Sequence, residues 1–493
     1  MVTFTATAGT DNPALSAGDD IVNVTATANI QAADTFSGGD GIDTINVGAG
    51  NNTSVSVDLS GAGSNGVAGF LSFERLSFAN SGGGNHSVTA TFSSAQFGAG
   101  KISTALAVVG TNGNNASQNI VVNVVSGTAF SAAGWTFSLW NNTAGVDTIT
   151  LNGAAGNETI TGSSRADVIN AGDGDDAING GPGNDTINAG AGNDTIWSTQ
   201  GTNVIDGGAG TDTISYAGSA SPVTVTFATA TTATATNGTF SDTISNVEAF
   251  ILSNGADTFN GGDGNDTVTG GRGDDVLNGG GGDDTFLLRA GDGIDTINGG
   301  TGTDTIKLAA ATATWNIAPS ALANWSNIEI IDGSLATAAR VLGGTGDDVI
   351  NMSAYQSLIN VQLHGGAGND TIQGSQGDDI IVGGAGADVL TGNGGADTFV
   401  FQSQGQSSAL VSDTITDMSA IDRIDLSAID GNRLVDGHQS LFWVGTAEFS
   451  KVAGELRFDA TLGAIQTDTN GNGRADMVIF IPGYTPDGSE FIL

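Results

Sequence analysis

The sequence has no cysteine, which excludes disulfides, thiolate chemistry and a Cys-ligated zinc. Basic residues are scarce: 12 Lys and Arg stand against 52 Asp and Glu, and lysine occurs only at Lys101, Lys307 and Lys451. A chain of formal charge −40 has no basic patch to offer nucleic acid or an anionic lipid surface. No stretch approaches the roughly 20 consecutive apolar residues of a membrane helix, so no transmembrane segment is expected. The opening MVTFTATAGTDNPALSAGDD has neither the basic nor the apolar region of a Sec-type signal peptide. The three histidines, His86, His364 and His438, are scattered, and neither H-E-x-x-H nor G-x-S-x-G occurs. Nothing therefore supports a catalytic zinc or a lipase of the usual design.

What the chain has instead is glycine, 78 of them with only 6 prolines, and a strict repeat. From Gly153 to Ser215 it divides into seven unbroken nines: GAAGNETIT, GSSRADVIN, AGDGDDAIN, GGPGNDTIN, AGAGNDTIW, STQGTNVID and GGAGTDTIS. The sixth place holds Glu158, Asp167, Asp176, Asp185, Asp194, Asn203 and Asp212, and the eighth is always isoleucine. Early glycines permit a sharp turn, and the Thr-Ile-Asn that follows favours a short strand. One apolar residue per strand has nothing to bury against in its own unit, so strands must stack to share a core. Stacking also piles the carboxylates on the turns, where they repel unless a multivalent cation lies between them. Calcium, a hard ion that accepts carboxylate and carbonyl oxygens from flexible loops, suits that place. About twenty divalent ions would neutralise the net charge of −40.

The pattern G-G-x-G-x-D-x-U-x, seen in GGPGNDTIN and GGDGNDTVT, resembles the RTX nonapeptide repeat. That resemblance implies a calcium-filled parallel β-roll with two nines per turn and calcium between loops stacked on one side. Carried over, it pairs Asp167 with Asp185, Asp176 with Asp194 and Asp194 with Asp212, and it makes Asn203 a weakening departure in the site shared with Asp185. Strong sites are expected from Asp167 to Asp194, with weaker ones at Glu158 and Asn203. Across the chain the motif marks as metal ligands Asp43, Asp167, Asp176, Asp185, Asp194, Asp212, Asp257, Asp266, Asp275, Asp284, Asp295, Asp304, Asp348, Asp370, Asp379, Asp388 and Asp397.

The fold class expected is all-β: a β-roll or β-helix solenoid, an irregular β-rich N-terminal region and a small β-rich C-terminal domain. Residues 1–140 alternate as strands and read as an irregular solenoid or a β-sandwich. They include GGDGIDTIN at 38–46, the eroded VGAGNNTSV after it, and an earlier SAGDDIVNV at 16–24. Repeat blocks follow at 141–215, 252–307 and 343–400. The interruptions at 216–251 and 308–342 read as wide rungs rather than docked lobes. Phe73-Glu-Arg-Leu-Ser-Phe78, Val247-Glu-Ala-Phe-Ile-Leu252 and Ile328-Glu-Ile-Ile331 each set one Glu in an apolar strand, as a solenoid-edge ligand or cap.

Residues 401–493 shift in composition. Asp413 to Ser427 and Asp468 to Ile479 resemble the C-terminal domain of serralysin-type secreted proteins, with Met418 and Met477 departing where Phe is expected. This resemblance implies an uncleaved type I secretion signal and a Gram-negative origin. Asp468, Asn470 and Asn472 also imitate an EF-hand opening, but Ile479 takes the place of the bidentate Glu, and a tight turn is expected.

Repeat, interruption and export segments fill the chain beyond residue 140. The expectation is a non-enzymatic extracellular structural protein, folded by calcium and assembling with itself into a surface layer, matrix or filament, with the type I machinery as export partner. The alternative is a calcium-dependent adhesin, in which Trp135 and Trp140 either contact a cell-surface glycan or pack in the core. A third reading, a polysaccharide-modifying β-helix enzyme, would draw on residues such as Arg75 and Tyr216 but lacks the basic residues that acidic substrates require.

Overall fold

A computed structural model describes residues 3–7, 11, 13, 15–25, 36–48, 55–60, 70–78, 87–99, 101–110, 117–141, 147–198 and 200–493. The chain forms two compact units, Met1–Gly262 and Asp263–Leu493. Both are built chiefly of parallel strands stacked as a β-roll solenoid.

In the first unit, successive nines of the regular block alternate between two sheets. Asp167–Asp173, Thr186–Ala191 and Val204–Ala209 pair in parallel, setting Ile169, Ile187 and Ile205 in register. Thr159–Thr161, Ala177–Asn179, Thr195–Trp197 and Thr213–Ser215 pair in the other sheet and align Ile160, Ile178, Ile196 and Ile214. Every one of these isoleucines is at most 2 % exposed. Each gains about 1.5–3 kcal/mol from burial that it could not obtain in an isolated nine.

The described strands before this block also pair in parallel. Thr3–Thr5, Ile21–Val24, Thr44–Val47, Phe73–Phe78, Ile102–Val109 and Thr136–Ser138 form one sheet. Val55–Asp58, Ser87–Ser93, Ser117–Asn123 and Thr148–Asn152 lead directly into the strand Asp167–Asp173. A sandwich would pair its strands antiparallel. The eroded repeat at 16–24 requires a shift of one residue, since Val22 pairs with Ile45 and so places Asp20 against Asp43. The eroded VGAGNNTSV and the repeat NTAGVDTIT lie partly outside the described residues.

The interruption at 216–251 departs from a plain wide rung. Thr224–Thr229 and Thr232–Thr236 form an antiparallel hairpin, and Ser241–Ser245 runs antiparallel to the second of these while pairing in parallel with Val204–Ala209. The Thr/Ala alternation favours strand, but it carries no Asp and no turn glycines to enter the roll. It therefore folds back on itself before the chain rejoins the stack.

In the second unit, Thr305–Ile317 pairs in parallel with Thr285–Arg289, Ile330–Asp332 and Ala336–Leu342, so this insert runs as parallel rungs. The roll continues past Val400. Asp413–Ile415 stacks on Val389–Thr391, and Arg423–Asp425 stacks on Thr398–Val400. The expected boundary at 401 thus falls one turn early. Only afterwards do Glu455–Asp459, Ala464–Asp468 and Met477–Phe480 form an antiparallel meander.

Candidate metal centre

The sixth-place carboxylates line up because the isoleucines two residues later are locked in register. All seventeen marked aspartates are described, and all are buried except Asp348, which is half-buried. In each column the backbone N–H of one Asp donates to Oδ1 of the Asp on the following rung: Asp167 to Asp185 at 2.9 Å, Asp176 to Asp194 at 2.7 Å and Asp194 to Asp212 at 2.8 Å. These are the pairs eighteen residues apart. In the second unit the same bond joins Asp266 to Asp284, Asp284 to Asp304, Asp275 to Asp295, Asp348 to Asp370, Asp370 to Asp388 and Asp379 to Asp397. Asp43 accepts from the N–H of Asp20, and Asp257 from that of Val223.

Oδ1 is thereby satisfied, but in many of these aspartates Oδ2 is not. Asp43, Asp176, Asp185, Asp194, Asp212, Asp284, Asp304, Asp370 and Asp388 each hold a buried Oδ2 with no hydrogen-bond donor. A buried carboxylate oxygen without a partner carries a large desolvation cost, which an adjacent cation removes. The glycines make the space: a Cβ on Gly180 would lie 2.4 Å from Asp185 Oδ2, and one on Gly365 would lie 2.3 Å from Asp370 Oδ2 and 2.4 Å from the Gly383 carbonyl oxygen. Among the described residues no three His, Cys, Asp or Glu side chains cluster. Each site therefore offers two carboxylates from successive rungs, and its other ligands would be turn carbonyls. That is an all-oxygen donor set of the kind calcium takes. The residues present fit this ion.

Without a cation the carboxylates are poor acids. Burial, helped by the charge of Asp167, pushes Asp185 up to about 8. Burial likewise raises Asp284 to about 7, with Asp304 and Asp283 adding to it.

Several residues depart from the pattern. Asn203 accepts the Asp185 N–H, but its amide donates to Ser198 and Gln200, so the column continues as a hydrogen bond without a charge. One rung on, Asp242 accepts from Asn203 N–H, Ser198 Oγ and Tyr216 OH, three neutral donors in place of a cation. Glu158 is likewise closed, accepting the N–H groups of Gly127 and Ala154. Where Ser stands second in the nine, it closes on its own aspartate: Ser163 on Asp167, Ser253 on Asp257 and Ser375 on Asp379, through both N–H and hydroxyl. Within the block expected to be strongest, Ser163 thus already satisfies Asp167, whereas Asp176, Asp185, Asp194 and Asp212 each keep a buried Oδ2 without a donor.

Sequence reasoning missed three groups. Asp413 and Asp422 extend two columns, accepting the N–H groups of Asp388 and Asp397, and burial pushes Asp413 up to about 8. Their signal was the surviving core Asp-Thr-Ile and Asp-Arg-Ile after the glycines had gone. Asp147, buried in NTAGVDTIT, accepts from the N–H groups of Gln118 and Asn141. The fifth place carries a second ladder of opposite direction, in which Asn157 accepts from Asp175 N–H, Asp175 from Asn193 N–H and Asn193 from Thr211 N–H.

Trp135 and Trp140 are buried and pack against Phe97 and Phe130, and against Phe78 and Phe137. Of the two readings of these tryptophans, glycan contact or core packing, the structure shows core packing. Tyr216 is fully buried. Asp468 accepts from the N–H groups of Gly471 and Gly473, and Asp476 from Thr469 and Asn470, so the EF-hand-like stretch is a self-satisfied turn. His364 bonds Gln362. His438 lies in the C-terminal part, and His86 lies outside the described residues. No helix among the described residues is long and apolar enough to cross a membrane.

A family model described as the RTX calcium-binding nonapeptide repeat (4 copies) matches residues 31–54, 152–187, 179–214, 252–286, 287–309 and 364–399. No curated protein matches the sequence.

Proposed function

We propose, from the premise that this chain is an RTX-type protein whose repeats bind calcium, that it is a non-enzymatic structural component of the bacterial exterior. RTX repeats are typical of proteins secreted outside the cell. The observation that carries the proposal is that columns of buried, unpartnered carboxylates recur in both compact units. Calcium binding is then folding energy for the scaffold itself rather than the property of one loop. The chain would leave a low-calcium Gram-negative cytosol unfolded through type I secretion, fold on meeting calcium, and assemble with itself as a surface layer, matrix or filament. The serralysin-like C-terminal segment supports the export step. Electron microscopy of the purified chain after calcium addition tests assembly: ordered sheets or filaments are expected, and dispersed monomers at all concentrations would overturn it.

A second reading, an adhesin, is favoured by one feature of the second unit. A cleft of about 380 Å3 is lined by Trp315 and Trp325 with Arg289, Asp292, Asn316 and Asn324. Aromatic faces beside amide and charged groups suit a sugar ring. Calcium-loaded monomers that bind a glycan array, and lose binding on Trp325→Ala, would favour this reading.

A further inference from the structure

In each of three places, the aspartate that ends a run of repeats donates its N–H to a glutamate of the following insert. Asp43 donates to Glu74 Oε2 at 3.0 Å, Asp212 to Glu248 Oε2 at 2.9 Å and Asp304 to Glu329 Oε2 at 2.8 Å. Each glutamate therefore occupies the position that the next Asp Oδ1 takes in a regular column. The backbone repeats as well. The carbonyl of each aspartate accepts from two successive N–H groups: Glu74 and Arg75, Glu248 and Ala249, and Glu329 and Ile330.

Two residues before each glutamate stands a residue in the left-handed region: Ser72 at φ 55°, Asn246 at 53° and Asn327 at 50°. Only glycine adopts that region freely, and asparagine tolerates it better than most. Its consequence is the placement of a carbonyl. A Cβ on Gly207 would lie 2.1 Å from the Asn246 carbonyl oxygen and 2.7 Å from Asp212 Oδ2. On Gly299 the distances are 2.0 Å to Asn327 O and 2.4 Å to Asp304 Oδ2, and on Gly38 they are 2.5 Å to Ser72 O and 2.3 Å to Asp43 Oδ2. In a regular rung, Gly365 sees the same pair as Asp370 Oδ2 and Gly383 O. The left-handed residue thus replaces the first glycine of the missing nine, and the glutamate replaces its aspartate. Asp43, Asp212 and Asp304 are 0 % exposed, and the Oδ2 of each, aimed into this space, has no donor.

We propose that Glu74, Glu248 and Glu329, each with the carbonyl of the Ser or Asn two residues before it, complete calcium sites with Asp43, Asp212 and Asp304. The inserts are then joined to the repeat arrays through metal ions rather than by packing alone. This rests on the calcium reading of the repeats and deepens it. A cap that served only to satisfy the aspartate N–H would need an acceptor but no charge, because in that role the amide oxygen of glutamine is equivalent to a carboxylate oxygen.

The test is equilibrium dialysis with calcium on the full chain and on the Glu74→Gln, Glu248→Gln, Glu329→Gln triple variant, with circular dichroism confirming β structure at saturating calcium. The expected result is a loss of about three bound ions at a calcium concentration that just saturates the wild type, since calcium affinity follows the count of charged ligands. An unchanged ion number and midpoint in the folded triple variant would overturn the inference while leaving the repeats as calcium sites. A wild type that binds no calcium would overturn both. If the triple variant does not fold, the single variants Glu248→Gln and Glu329→Gln, which lie in different compact units, decide the matter by the loss or retention of about one ion each.

Discussion

A carboxylate in this roll has two oxygens with separate tasks, and mutation distinguishes them. Asp194 Oδ1 takes the N–H of Asp176, while its Oδ2 is buried without a donor. Asp194→Asn keeps an acceptor for the N–H and removes the charge. If the column were held by hydrogen bonds alone, the exchange would be neutral or stabilising, because a buried charge disappears. With calcium between the rungs, the midpoint of a calcium titration followed by circular dichroism is expected to rise on the order of tenfold. The calcium-free chain is expected to be no less stable. Asp242→Asn supplies the contrast: that carboxylate is satisfied by Ser198, Asn203 and Tyr216, so the calcium midpoint should move far less than for Asp194→Asn.

At the scale of the rung, the eighth-place isoleucine and the turn glycine are the least replaceable parts. Ile178→Ala opens a cavity in a column that is fully buried on both neighbouring rungs, and a loss of about 2–5 kcal/mol is expected in urea melts at saturating calcium. Gly192 adopts φ +136°, and a Cβ there would meet the Gly174 carbonyl oxygen at 2.1 Å. Gly192→Ala is therefore expected to destabilise the loaded roll by more than the roughly 1 kcal/mol of glycine's intrinsic freedom, because the rung spacing itself must widen. A melting temperature equal to wild type would refute this account. The same features explain what was legible beforehand. Period, core column and aspartate pairing all follow from the spacing of Gly, Asp and Ile, so they could be read wherever those residues persist. Legibility stopped where one of the three was replaced. Asp413 and Asp422 keep Asp and Ile but lack the glycines, so the sequence there reads as a separate C-terminal domain. Asp242 kept Asp-Thr-Ile but sits among neutral donors contributed by Ser198 and Tyr216, which are 44 and 26 residues away. The hairpin at Thr224–Thr236 was invisible for another reason. A period-two pattern shows a strand but not whether its neighbour runs parallel.

At the scale of the molecule, charge and burial make the calcium-free and calcium-loaded chains respond to pH in opposite directions. The unfolded chain titrates its aspartates near 3.8, whereas in the empty roll burial raises Asp176 to about 6, Asp167 to about 7 and Asp185 to about 8. Between about pH 4 and 8 the empty roll therefore binds more protons than the unfolded chain. Its stability is greatest below the unfolded value and is lost as pH rises through the folded ones. The loaded roll needs its carboxylates ionised, so protons compete with calcium and its stability falls as pH falls. In excess chelator at pH 7.5, with formal charge −40 opposing compaction, the chain is expected to be largely unfolded, and acidification toward pH 4 should raise its β signal. In saturating calcium the same acidification should lower the melting temperature. Circular dichroism from pH 4 to 8 with and without chelator measures both slopes. A strong β signal in chelator at pH 7.5, or two slopes of the same sign, would show that hydrogen bonds and the isoleucine columns suffice without metal. Opposite slopes would show that the carboxylates are held in a fold they oppose until a cation or a proton neutralises them.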